Sequence, residues 1–106
     1  MNIINKNELD SDLVHDINLE LEALFTGNRV WEINSDTGHL DDATGVQIII
    51  KGRGPCYIST ISDTESYIWD LLNSYRKFHG LSTFCTSTSY FDPVKNGIVF
   101  EYTDYI

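Results

Sequence analysis

Val46-Gln47-Ile48-Ile49-Ile50-Lys51-Gly52-Arg53-Gly54-Pro55-Cys56-Tyr57-Ile58-Ser59-Thr60-Ile61 reads as two strands joined by a turn. Its first six residues are a β-branched run suited to a central strand. Gly52 to Pro55 make the turn, and Cys56 to Ile61 return as the next strand. Upstream, Arg29-Val30-Trp31-Glu32-Ile33-Asn34 alternates as a further strand, followed by a polar, Asp- and Gly-rich stretch from Ser35 to Gly45. Downstream, Ser62-Asp63-Thr64-Glu65 has the form of a capping box and opens a helix. The core face of that helix is Tyr67, Ile68, Leu71, Leu72, Tyr75 and Phe78, and Gly80 is its stop. Arg76, Lys77 and His79 in its last turn suit the helix dipole. Ser82 to Phe91 and Gly97 to Tyr105 are the closing strands, around a loop whose Asn96-Gly97 is a hairpin signal.

The N-terminal part carries an earlier helix. Asn5 can cap it, Glu8 sits where a capping box needs a carboxylate, and Ile4 and Leu9 match a hydrophobic staple. Leu9, Leu13, Val14, Ile17, Leu21, Leu24 and Phe25 recur at helical spacing as one apolar face, and Gly27 or Asn28 ends the run. The predicted fold is α+β: an antiparallel sheet of about five strands with two helices on one face, in the order α-β-β-β-α-β-β. No linker or repeat divides residues 1–106, so one domain is expected.

Sixteen Asp and Glu against seven Lys and Arg give a formal net charge of −9. Nucleic acid and anionic membranes are poor partners for such a chain, because both require clustered Lys and Arg. The longest apolar run, Ile48-Ile49-Ile50, is too short to span a bilayer. Met1 to Lys6 does not read as a secretory signal. Cys56 and Cys85 lack a Cys-x-x-Cys spacing and fit reduced thiols in a cytoplasmic protein.

Catalytic signals are sparse. His39 lies among Asp36, Asp41 and Asp42, but a calcium loop counted from Asn34 puts His39 where glycine is required and Gly45 where glutamate is required. A polar turn is the better reading of that segment, and a long Asp-rich loop is also a fair interaction site. Cys56 follows Gly-Pro near Arg53, which could lower its pKa, but no base can be assigned to it. Both thiols read as buried packing groups. No Gly-x-Ser-x-Gly, His-Glu-x-x-His or phosphate-cradling loop occurs. No catalytic residue, metal ligand or cofactor is therefore assigned, and the chain is not read as an enzyme.

The acidic residues have an arrangement. Glu8, Asp12, Asp16 and Glu20 recur every four positions along the first helix. Like charges at that spacing repel by about 0.2–0.5 kcal/mol per pair, so the row is tolerated by the fold rather than needed for it. At 100° per residue it flanks the apolar face, with Leu19 among the acids pointing away from the core. A Leu framed by carboxylates is a candidate interface anchor. Trp69 lies off the core face of the second helix, and Glu101 and Asp104 mix with Tyr102 and Tyr105 on the last strand. The candidate partner-binding set is Asp12, Asp16, Leu19, Glu20, Asp36, Asp41, Asp42, Trp69, Glu101 and Asp104.

In these features the chain resembles the immunity proteins of bacterial contact-dependent growth inhibition and related polymorphic toxin systems. The shared character is a length near this chain's 106 residues, strong acidity, α+β make-up, acidic surfaces mixed with Trp and Tyr, and no catalytic signature. The resemblance implies a cytoplasmic inhibitor of a cognate basic toxin domain, often an RNase or DNase. A nuclease must be positive where it holds phosphates, so carboxylates suit its inhibitor. Two other readings fit an acidic chain. One is a DNA mimic or anti-restriction inhibitor; the other is a small enzyme whose acidity serves solubility.

Overall fold

The computed structural model describes residues 2–5, 11–25, 28–35, 45–53 and 56–104. In chain order these form strand β1 (Asn2–Asn5), helix α1 (Ser11–Leu24), strands β2 (Asn28–Ser35) and β3 (Gly45–Arg53), helix α2 (Ile58–Phe78), and strands β4 (Thr86–Asp92) and β5 (Gly97–Thr103). The sheet order is β1-β2-β3-β5-β4. Strands β2, β3, β5 and β4 are antiparallel, and β1 joins β2 in parallel at the edge. The sheet stays open and does not close into a barrel.

Register and alternation decide what faces the core. Val46, Ile48 and Ile50 pair with Tyr102, Phe100 and Ile98 across β3 and β5, while Ile33 and Trp31 pair with Ile48 and Ile50 from β2. All are buried with Leu13, Val14, Ile17 and Leu21 of α1 and Ile68 and Leu72 of α2. Both helices therefore pack on one face of the sheet, and each such side chain contributes about 1.5–3 kcal/mol by leaving water. The opposite face carries Gln47, Ile49, Lys51, Val99 and Glu101. Ile49 and Val99 are buried there too. Long polar side chains lie along that face: Lys51 bridges Glu32 at 3.0 Å, and Gln47 donates to Glu101 at 2.6 Å.

Three sequence expectations change. The first concerns Cys56 to Ile61, expected as a strand: Cys56 and Tyr57 are coil, and Ile58 to Ile61 begin α2. Ile61, Thr64, Ile68 and Leu72 continue one helical face, and Ile61 packs against the core. The expected capping box thus lies inside the helix, where Thr64 Oγ1 donates back to the Thr60 carbonyl at 2.6 Å. The second concerns Asn2–Asn5, which forms a strand instead of a cap and staple, so α1 opens at Ser11. Parallel strands on either side of α1 need such a crossover. Four of the five expected strands form and are antiparallel; the fifth strand of the sheet is the parallel β1 in place of Cys56–Ile61, and the order is β-α-β-β-α-β-β. Glu8, Leu9 and Gly27 lie outside the described residues, while Asn28 opens β2 and Gly52 and Arg53 end β3. The third concerns the last strands: residues 82–85 are coil before β4, and Cys56 and Cys85 are free and exposed rather than buried. Among the described residues no helix is long and apolar enough to cross a membrane.

The β4–β5 hairpin follows its sequence signal in part. Asn96 takes a φ of 51°, and Asp92 Oδ1 accepts from the backbone N–H of Val94 at 2.9 Å, closing a longer turn than two residues. Gly97 is required by close approach: a Cβ there would lie 2.9 Å from the Ile50 carbonyl oxygen and 3.0 Å from Ile49 Cγ2. Gly97→Ala is expected to lose about 1–3 kcal/mol, because the clash is partly with backbone. Gly45→Ala, whose Cβ would meet nothing nearer than 3.8 Å, is the near-neutral control. Urea midpoints of the two variants check this, and equal midpoints would contradict it.

Candidate functional site

The acidic flank of α1 meets the end of α2. Leu13 turns inward, and Asp16, three residues on, stands exposed beside it. Leu13 and Asp16 line a groove of about 350 Å³ with Leu71, Ser74, Tyr75, Phe78 and His79 of α2 and its end. Its α2 wall is aromatic. The Tyr75 and His79 rings lie 4.3 Å apart, and Phe78 meets His79 edge-on at 5.4 Å. Phe78 is 87% exposed and Tyr67, on the same flank, 48% exposed. Helical spacing places both residues toward the core in sequence, but the buried side of α2 runs through Thr64, Ile68, Leu72, Asn73 and Arg76 and is turned away from that flank. Both are corrections to the predicted core face.

The groove joins two kinds of recognition. An aromatic ring left in water gains by being covered, and an adjacent carboxylate selects for positive charge in whatever covers it. Glu20 is half-buried on the same flank of α1, and Leu19 is 52% exposed, as its position in the row implies. Asp12 lies within α1, one turn before Asp16; its side chain is outside the described residues.

The remaining candidates do not converge on this groove. Asp36, Asp41 and Asp42, with His39, lie outside the described residues. Trp69 is on the opposite flank of α2 from Phe78, packed against the core with its ring 6.3 Å from Tyr102. Glu101 is on the sheet face away from the helices, where Gln47 Nε2 and Tyr90 Oη each donate to its Oε1 at 2.6 Å. That carboxylate holds the Tyr90 phenol up at a pKa of about 12, since losing the proton would set two anions side by side. Burial raises the Tyr102 phenol above its ordinary value. Asp104 is tied to the buried Arg76 at 3.4 Å. Arg76 is therefore a structural cation and not the solvent-facing dipole partner expected from sequence; Lys77 and His79 do remain exposed.

The residues missed by sequence reasoning are Phe78, Tyr75, Leu71 and His79. Their signal was an apolar stripe, Tyr67, Leu71, Tyr75 and Phe78, wider than the buried side of one helix needs and running to its last residue. Among the described residues no group of three or more His, Cys, Asp or Glu side chains could hold a metal ion. No family model, curated protein or solved structure matches the chain.

Proposed function

We propose that this chain is a binding protein that captures a basic protein in the groove between α1 and α2, and that its partner is a nuclease-type toxin domain it neutralises. The observation that carries the reading is Phe78, almost wholly exposed, in a groove bordered by Asp16. An exposed aromatic with a carboxylate at its side is the composition of an interface centre and its polar rim. The net charge of −9 supplies the long-range field that speeds encounter with a cationic partner. Nuclease domains carry such a cationic surface because phosphate binding demands it. Covering that surface would block substrate without any chemistry by the inhibitor.

The test uses the protein immobilised and exposed at low salt to a lysate of the cells that encode it. A basic polypeptide is expected to be retained, to degrade RNA or DNA when released, and to lose that activity when the protein is added back. The variant with Asp12→Lys, Asp16→Lys and Glu20→Lys should associate about an order of magnitude more slowly and show a flatter salt dependence. Its stability should stay within about 0.5 kcal/mol of the parent, since three lysines restore the same repulsive spacing. The reading fails if no basic polypeptide is retained or if the reversed row associates at the parent rate.

A further inference from the structure

We infer that the β4 edge of the sheet is a docking site for an extended peptide segment carrying an apolar residue and, four positions later, a Lys or Arg. The sheet order gives β4 one strand neighbour, β5, among the described residues. Every second residue of Thr86–Asp92 therefore turns its N–H and C=O away from the sheet. The opposite edge, β1, is only 4 residues long. Natural sheets guard a long edge with lysine, proline or a bulge. The strand Thr86-Ser87-Thr88-Ser89-Tyr90-Phe91-Asp92 contains no Lys or Pro, and its register with β5 is unbroken. Such an edge accepts one more strand, and its backbone groups require that the occupant be extended.

Side chains beside the edge specify the sequence of that strand. On the helix side of the sheet, Ser87, Ser89 and Phe91 pair with Tyr102, Phe100 and Ile98. Ser87 Oγ donates to Glu65 Oε2 at 3.1 Å, which places the Glu65 carboxylate of α2 over the start of β4. That bond fills one of the several acceptor positions of a carboxylate, and no cation pairs with Glu65 among the described residues. Toward the end of β4, Phe91 is 61% exposed and shares a cleft with Ile61. Ile58, 88% exposed, falls on the same side of α2 as Glu65 at about 100° per residue. A strand laid along β4 thus meets a carboxylate beside Ser87 and apolar surface beside Phe91, four residues apart on one face. Antiparallel pairing, the more stable kind, reaches Phe91 first and so puts the apolar residue before the cation.

Charge also selects between a foreign segment and a second copy of the chain. β4 has no basic residue, so a second copy pairing edge to edge would bring no cation to Glu65. It would also press together two molecules of net charge −9. A basic segment gains from the same field, and its cation meets Glu65 on docking. This surface lies on the β4 side of α2, away from the groove that α2 forms with α1.

The probe is the peptide acetyl-Thr-Leu-Thr-Thr-Thr-Arg-Thr-amide, followed by amide hydrogen exchange on the whole chain. In the free protein, alternate amides of Thr86–Asp92 should exchange fast. Peptide at ten times its Kd should slow those same amides by about tenfold. Glu65→Lys should weaken the peptide by about tenfold, since it exchanges attraction for repulsion. Phe91→Ser, at an exposed position, should weaken it by about three- to tenfold while the circular dichroism spectrum is kept. N-methylation of alternate peptide residues should abolish binding in one phase and spare it in the other, as pairing along one edge requires. Absence of binding at millimolar peptide, equal binding by a peptide with Glu in place of Arg, or protection appearing away from β4 would overturn the inference. So would alternate β4 amides already protected in a dimer of the free protein, which would make the occupant a second copy. None of these outcomes depends on the partner proposed for the groove between the helices.

Discussion

Arg76→Ala is expected to remove about 2–4 kcal/mol of stability, since it deletes a buried side chain together with its hydrogen bond, its ring contact and its ion pair to the partly exposed Asp104. Arg76 is 3% exposed although it sits near the end of a surface helix. Its Nε donates to the Ser82 carbonyl, its Nη2 reaches Asp104 at 3.4 Å, and its guanidinium lies 4.3 Å from the centroid of the buried Phe84 ring. One side chain thus binds the end of α2, the crossing segment before β4 and the residue after β5. Without it, Asp104 keeps a partly buried charge with no cation, and its Oδ1 already lacks a hydrogen-bond partner among the described residues. A domain of this size has a total stability of about 5–15 kcal/mol, so the variant should melt well below the parent. Asp104→Asn should lose less, because the amide keeps an acceptor for Arg76 and carries no orphaned charge. Urea denaturation monitored by tryptophan fluorescence measures both. An Arg76→Ala midpoint close to the parent would show that this cation is not a structural centre.

Arg76 also shows where legibility ended. Its position in the last turn of a helix is plain in the sequence, and such residues usually interact with the helix dipole in water. Its burial depends on Ser82, Phe84 and Asp104, which lie six, eight and twenty-eight residues away and return to it only through the fold. Local pattern served better where composition and flanking turns agreed. The β-branched run Val46 to Ile50, closed by Gly52, and the alternating Val30 to Ile33 identified the central strands because β-branched residues bounded by polar and glycine-rich segments suit a pleated sheet. Gly80, at a φ of +72°, ended α2 as expected. The stretch from Tyr57 to Ile61 failed for the opposite reason: its Ile and Thr suit a strand, yet Ile61 also falls on the helical face of Thr64 and Ile68. Five residues cannot separate those periods, and the packing partner decides. Asn2 to Asn5 are too few to display any period at all. The groove beside Asp16 was half legible. The carboxylate row was visible, but its aromatic wall belongs to a helix some sixty residues later, and no spacing rule links the two.

Phe78 gives the sharpest separation between fold and function. A side chain 87% exposed contributes little to folding, so Phe78→Ser should change stability by no more than about 0.5 kcal/mol. Its effect on binding should be large. Central aromatic anchors at protein interfaces typically carry about 2–4 kcal/mol, which corresponds to a loss of about thirty- to a thousandfold in affinity. That loss should appear mainly as faster dissociation, because an apolar anchor acts after the partners have docked. Reversal of Asp12, Asp16 and Glu20 should act on the other rate, slowing encounter and flattening its dependence on salt. Stopped-flow or surface-based kinetics on the retained basic partner would resolve the two. The contrast matters more than either number, because a surface used only for solubility would show neither effect, and a purely electrostatic mimic of nucleic acid would show the second without the first. Unchanged dissociation in Phe78→Ser would move the interface away from the helix groove altogether.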